Sequence, residues 1–182
     1  AQLADNGFQS ISLDISEHRI NQLKTNLDRL DYKPEIICTD FLNYKPYQKF
    51  DAILLDAPCS ASGLIQKKPE ILISNKQTDL KKLIVEQNRL LEYSKEFVKK
   101  DGYIIYCVCS INNCEGYEQI NKFLKANKNF SSVNHIDSIK KYGKILSHNM
   151  LQIYPKRFKF SDNINGCLDG FFISILKKEK NN

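Results

Sequence analysis

The chain has 182 residues, 42% apolar and 26% charged, which supports an apolar core and excludes a disordered or fibrous polypeptide. No apolar run approaches the ~20 residues of a bilayer span, and the opening AQLADNGFQS lacks the basic-then-apolar order of a secretory signal, so neither a membrane nor a secretory role is expected. The 27 Lys and Arg against 21 Asp and Glu leave a net charge of +6, a mild tilt toward a polyanionic partner.

In chain order, Gln9 to Leu13 reads as a short strand ending at Asp14. Ser16 can cap the next helix, with Glu17 in the first turn and Ile20, Leu23, Leu27 and Leu30 forming one buried stripe. Glu35–Cys38 is a second strand running into Asp40. Phe50 to Leu55 is nearly all apolar, as expected of a strand buried on both faces. A loop rich in Pro, Ser, Gly and Lys follows from Asp56 to about Asn75, then a helix from about Gln77 to Lys99. Asp101-Gly102 turns the chain into a strand at Tyr103–Tyr106, and Glu115 to Ala126 forms another helix. Two terminal strands, Met150–Tyr154 and Phe171–Leu176, flank a Lys- and Asn-rich loop.

Such alternation implies an α/β domain on a mostly parallel sheet, whose ligands sit beyond the carboxyl ends of the strands. Asp14, Asp40, Asp56 and the pair Cys107 and Cys109 stand at those ends. A carboxylate closing such a strand commonly accepts from the ribose hydroxyls of a nucleotide cofactor, but an Asp there is also an ordinary turn or cap residue. Asp40 is open to the same two readings, with an adenine amino group as its partner in the functional one. The stretch Asp56-Ala57-Pro58-Cys59-Ser60-Ala61-Ser62-Gly63 is more specific: a carboxylate and a thiol end an apolar strand, and small residues let another molecule approach the backbone. In Tyr106-Cys107-Val108-Cys109-Ser110, alternation puts both cysteines on one face and only the end residue in the crevice. A thiolate there suits an electron-poor ring carbon, whereas Cys38, Cys107, Cys114 and Cys167 read as small apolar side chains. The six cysteines and His18, His135 and His148 lack paired zinc-ligand spacing, so reduced thiols and no metal are expected.

Taken together, FDAILLDAPCSASGLIQKKPE, the strand-end YCVCS with an acidic helix start, and the late DGFF (Asp169 to Phe172) resemble the Sun/Fmu-type RNA cytosine-C5 methyltransferases, the RsmB-like branch. The resemblance runs from the first residues to Lys178 and implies a Rossmann-like fold that uses S-adenosylmethionine, with helices on both faces of the sheet. It implies Cys109 as the nucleophile and Cys59 as the second thiol that helps release product. It also implies that Asp14, Asp40 and Asp56 line the cofactor pocket, Asp56 reaching the target base as well. The expected partner is RNA, ribosomal RNA by analogy, presenting a single-stranded or flipped cytosine in the cytoplasm to a protein that is monomeric at full length. The Lys-rich loop after Gly63 is placed to hold phosphates.

The sequence departs from that pattern in several places. The family's glycine-rich loop and the strand before it do not occur, so residues 1–182 read as one methyltransferase domain that is the C-terminal portion of a longer protein. Val108 replaces a Thr, Asn113-Cys114 replaces a Pro-Glu pair while Glu115 remains, and Lys68-Pro69-Glu70 stands where His-Pro-Asp is common. Two alternatives stay open: an inactive remnant that binds RNA through its lysines, and an enzyme whose nucleophile is the Cys of the Pro-Cys pair, Cys59.

Overall fold

In the computed structural model the described residues are 1–74, 79–134, 137–161 and 164–180. They divide into two compact units, residues 1–47 and 48–182.

The first unit opens with a short helix, α1 (Gln2–Asp5), followed by β1 (Ile11–Asp14), α2 (Glu17–Arg29) and β2 (Glu35–Cys38). β1 and β2 pair in parallel, Ile11 opposite Glu35 through Asp14 opposite Cys38. α2 begins where the Ser16 hydroxyl accepts from the Arg19 amide, which satisfies one of the helix's orphan donors. Ile20 and Leu27 are buried, each contributing roughly 1.5–3 kcal/mol. Leu30 is exposed rather than part of the stripe, because the helix ends before it and Asp31 takes a left-handed conformation.

The second unit contains β3 (Phe50–Asp56), α3 (Ile71–Ser74), α4 (Leu80–Ser94), β4 (Val98–Val108), α5 (Tyr117–Ala126), β5 (Phe130–Ser132), β6 (Lys144–Ile145), β7 (Leu151–Ile153), β8 (Lys156–Ser161), β9 (Ile164–Leu168) and β10 (Phe171–Lys178). Its main sheet runs β3-β4-β10-β7-β6, with β5 also paired to β10. The parallel pairing expected of the sheet is present at β3–β4, as at β1–β2, while the strands added after β4 pair antiparallel. β10 lies next to β4, and its Phe172, Ser174 and Leu176 alternate into the core. The rings of Tyr106 and Phe172 meet edge-on at 6.3 Å, and those of Phe123 and Phe130 at 5.1 Å.

Four expectations are corrected here. β3 is covered on one face only: Leu55 is buried and Ile53 half-buried, whereas Ala52, Leu54 and Asp56 are exposed, and β3 ends the strand order. The helix predicted to reach Lys99 stops at Ser94, and β4 starts at Val98 instead of Tyr103. The early strand start is supported from outside the segment. Phe50 donates to the Phe97 carbonyl at 2.8 Å, and the Lys178 ammonium reaches the carbonyls of Lys95 and Val98. Asp101, in a left-handed conformation, and Gly102 lie within this irregular strand rather than in a turn before it. The Lys-rich stretch before the last strand is the hairpin β8–β9, with Lys156 opposite Leu168 and Arg157 opposite Cys167. The predicted helix start at Gln77, with Asn75, Lys76 and His135, lies outside the described residues. The helix's described end is capped by Asp79, which accepts from the amides of Lys81 and Lys82.

One backbone contact positions the later motifs. The Gly170 amide donates to the Gly63 carbonyl at 2.8 Å, and a Cβ on Gly63 would lie 2.0 Å from the Gly170 carbonyl oxygen. Only a residue without a side chain fits that approach. Gly63→Ala is expected to lower stability by about 3 kcal/mol, read as a lower urea midpoint.

Candidate active site

β3 and β4 run in parallel and end side by side, Asp56 opposite Cys107, so the loops that leave them start together. The Ala57 amide donates to the Cys107 carbonyl and the Gly63 amide to the Cys109 carbonyl, at 3.1 and 3.0 Å. This pairing brings the sulfurs of Cys59 and Cys109, fifty positions apart in sequence, to 3.3 Å. Both residues are half-buried, whereas Cys107 is buried with its thiol 3.6 Å from the Leu55 carbonyl. All these cysteines are unbridged.

The two neighbouring thiols have opposite acidities. The hydrogen bond from Cys59 holds the Cys109 thiol down at about 7, against the opposing effects of burial and the charges of Asp56 and Glu115. The same bond, together with burial, pushes Cys59 well above the ordinary thiol range. Of the two, Cys109 is the thiol that ionises first, through about 7, and the proton left on the pair can then lie between the sulfurs at 3.3 Å. Cys107 is raised to about 12 by burial, then by Asp56 and Cys109. Partial burial also raises the Asp56 carboxyl above its ordinary value.

Behind the thiols lies a network that the sequence reading left out. Glu115 is fully buried, in the turn just before α5. Its Oε1 accepts from the Ser60 amide at 2.8 Å and Gln87 Nε2 at 3.1 Å. Its Oε2 accepts from the hydroxyls of Ser60 and Ser110, both at 2.6 Å, and from Asn112 Nδ2 at 3.1 Å. Burial alone would raise this carboxyl, but these donors outweigh it and hold the group below its usual range. Ser62 adds a hydroxyl contact to Ser110 at 3.0 Å and accepts from the Ile111 amide. The signal in the sequence was the serine after each cysteine, with a Glu five residues past the second serine.

The late Asp-Gly pair joins the same region. Asp169 accepts from Lys67 at 2.7 Å, so this lysine of the loop after Gly63 is engaged in an ion pair. Gln152 Nε2 reaches the carbonyls of Ser110 and Phe171, at 3.3 and 3.2 Å.

The two remaining carboxylates belong to the first unit. Asp14 ends β1 and accepts from Arg19 Nε and Nη2, at 2.7 and 2.8 Å, and from the Ser16 amide at 2.7 Å. Its pKa is lowered chiefly by the Arg19 hydrogen bonds. Asp40 caps a short helical turn by accepting from the Leu42 amide at 2.9 Å. Both keep the local structural roles open to any strand-end Asp: the Asp14 oxygens are engaged by Arg19 and the Ser16 amide, and Asp40 Oδ1 by the Leu42 amide.

A sequence profile for the 16S rRNA methyltransferase RsmB/F family matches residues 1–177. The chain belongs to the RsmB/F family. Among curated relatives, ribosomal RNA small subunit methyltransferase B of Photorhabdus laumondii is 38% identical over 120 residues, covering 64% of this chain and 28% of that protein. The protein of the same name from Vibrio cholerae is 29% identical over 174 residues, covering 94% of this chain and 36% of the relative. The chain thus spans about a third of the length of these curated relatives. Of solved structures, NSun6 from Pyrococcus horikoshii with SFG superposes at a TM-score of 0.75 and 22% identity, covering all of this chain and 44% of the other. The fold is therefore that of the Rossmann-like methyltransferases, and S-adenosylmethionine is the cofactor of this family and fold. No described helix is long and apolar enough to cross a membrane.

For this RsmB/F-family chain, alkylation of Cys109 by iodoacetamide, followed peptide by peptide in a mass spectrometer, is expected to accelerate as pH rises through about 7. Cys59→Ala removes the hydrogen bond and is expected to move that midpoint up toward the ordinary thiol value of about 8.5.

Proposed function

We propose that the protein transfers a methyl group from S-adenosylmethionine to carbon 5 of a cytosine in RNA, ribosomal RNA being the expected substrate, with Cys109 as nucleophile. The observation that carries this reading is the 3.3 Å contact between two thiols just past the ends of two parallel strands.

Carbon 5 of cytosine is too weak a nucleophile to take a methyl group directly. On this reading the Cys109 thiolate adds to carbon 6, and the electron pair released into the ring makes carbon 5 nucleophilic. Asp56, whose carboxyl is raised by partial burial, donates a hydrogen bond to the ring nitrogen as negative charge develops there. The cofactor supplies an electrophilic methyl on a sulfonium. Once the Cys109 sulfur is bonded to carbon, it no longer stabilises the proton on Cys59. Cys59 then loses its proton to solvent water, and its thiolate takes the carbon-5 proton, after which the electron pair of that carbon–hydrogen bond expels Cys109 as a thiolate. The cytosine must leave any stack for both ring faces to be reached, so the substrate is single-stranded or flipped.

In the first unit, Asp14 would accept from the ribose hydroxyls and Asp40 from the adenine amino group. The net charge of +6 supports a polyanionic substrate. The same reading takes residues 1–182 as one catalytic domain of a monomeric, cytoplasmic enzyme. Cys59 as nucleophile is disfavoured because burial and the contact with Cys109 raise its thiol while Cys109 is lowered.

RNA containing 5-azacytosine or 5-fluorocytosine, offered to the full-length protein with cofactor, is expected to form a covalent adduct at Cys109. Cys109→Ala should abolish the adduct, and Cys59→Ala should leave it or accumulate it on ordinary RNA. The reverse pattern would assign the nucleophile to Cys59, and no adduct in the unsubstituted protein would defeat the proposal.

A further inference from the structure

Glu115 has no place in the reaction just described. It is fully buried and so touches neither a base nor a cofactor, and among the described residues no Lys or Arg pairs with it. A buried carboxylate without a cation persists only where hydrogen-bond donors replace its water. The donors here come from three separate places: Ser60 in the loop after β3, Ser110 and Asn112 in the loop after β4, and Gln87 on α4. Ser60 is bonded in sequence to Cys59, and Ser110 to Cys109.

In each loop, consecutive residues divide between two environments. The hydroxyls of Ser60 and Ser110 reach inward to one carboxylate, while the half-buried thiols beside them face each other. We propose that Glu115 is a positioning residue that sets the sulfur-to-sulfur contact: holding Ser60 and Ser110 on one oxygen fixes Cys59 and Cys109 within hydrogen-bond reach. Other ties join the loops, at Ala57 to Cys107, Gly63 to Cys109, Ser62 to Ser110 and Ile111, Asn112 to Ser60, and a longer 3.4 Å contact between the Ser60 and Ser110 hydroxyls. Glu115 differs from them in bonding to both residues that directly follow the thiols. Its consequence for methyl transfer rests on the function proposed above; its consequence for the thiols does not.

Two effects of the Glu115 charge oppose each other, which makes the role measurable. The groups that act on the thiols are Asp56 on β3, Glu115 before α5, the backbone at Ala61 and Cys109, and each thiol on the other, while Tyr106 and Cys107 on β4 face them. Cys114 and Tyr106 face Glu115 itself. As a bare negative charge, Glu115 disfavours the Cys109 thiolate, so neutralising it lowers the Cys109 midpoint. As the residue that seats Cys59 against Cys109, it favours the thiolate, so removing it raises the midpoint.

The test is the pH profile of Cys109 alkylation by iodoacetamide in the full chain carrying Glu115→Gln, which keeps the side chain's shape and removes its charge. The midpoint is expected to rise from about 7 toward about 8.5, an approximately fifteenfold fall in thiolate fraction at pH 7. Adding Cys59→Ala to Glu115→Gln should move it no further. A lower or unchanged midpoint overturns the proposal, because a purely electrostatic role gives the first and a merely structural one the second. Should Glu115→Gln not melt cooperatively, Ser60→Ala decides: a smaller rise supports the proposal and an unmoved midpoint overturns it. With RNA and cofactor, Glu115→Gln should lower kcat and leave KM unchanged. Absence of methyl transfer by the unsubstituted protein would defeat the proposed function while the thiol titration still decides this inference.

Discussion

The second unit is organised around the need of one buried carboxylate for hydrogen bonds. Glu115 has left water without a cationic partner, and an ionised group in that position is tolerable only if nearly every lone pair is met. The chain meets them with an amide, two hydroxyls and two side-chain amides drawn from segments far apart in sequence. The two cysteine-bearing loops are thereby tied at a common point, and what they present on the other side is a pair of sulfurs in contact. Packing and candidate chemistry meet at this carboxylate.

The sheet brings those loops within reach. Parallel pairing of β3 and β4 makes both strands end at the same level, which no antiparallel neighbour would do. β10 then lies antiparallel along β4 and starts at Phe171, so the preceding Asp169-Gly170 pair arrives at the same end of the sheet. There Gly170 meets Gly63, and Asp169 meets Lys67. Backbone contact through two glycines and one ion pair connects the third motif to the first.

Most elements were legible because their cues are local. Ser16 ahead of an amphipathic stripe predicted α2, and the apolar run before Asp56 predicted β3. The misreadings share a cause, which is that distant partners chose between local options. Phe97 and Val98 continue a helical pattern, yet Phe50 and Lys178 claim the backbone groups around them and turn the segment into a strand. Phe158-Lys159-Phe160 alternates apolar with charged as a strand should, but the lysines around it and Asn163 and Asn165 after it suggested a loop until β9 paired with β8. β3 looked fit for burial on both faces because composition does not say how many layers cover a strand.

At the candidate site the division is sharper. Residue types, spacing and motif order sufficed by themselves for the α/β class, the methyltransferase family and the cysteines of interest, because those depend on local periodicity and on short contiguous motifs. Contact between Cys59 and Cys109, the lowering of the Cys109 thiol beside a raised Cys59, and the hydrogen bonds of Glu115 to both loops were decided only by the tertiary structure. Acidity and hydrogen bonding depend on separations of a few ångströms between groups dozens of positions apart, and a linear pattern does not contain those distances.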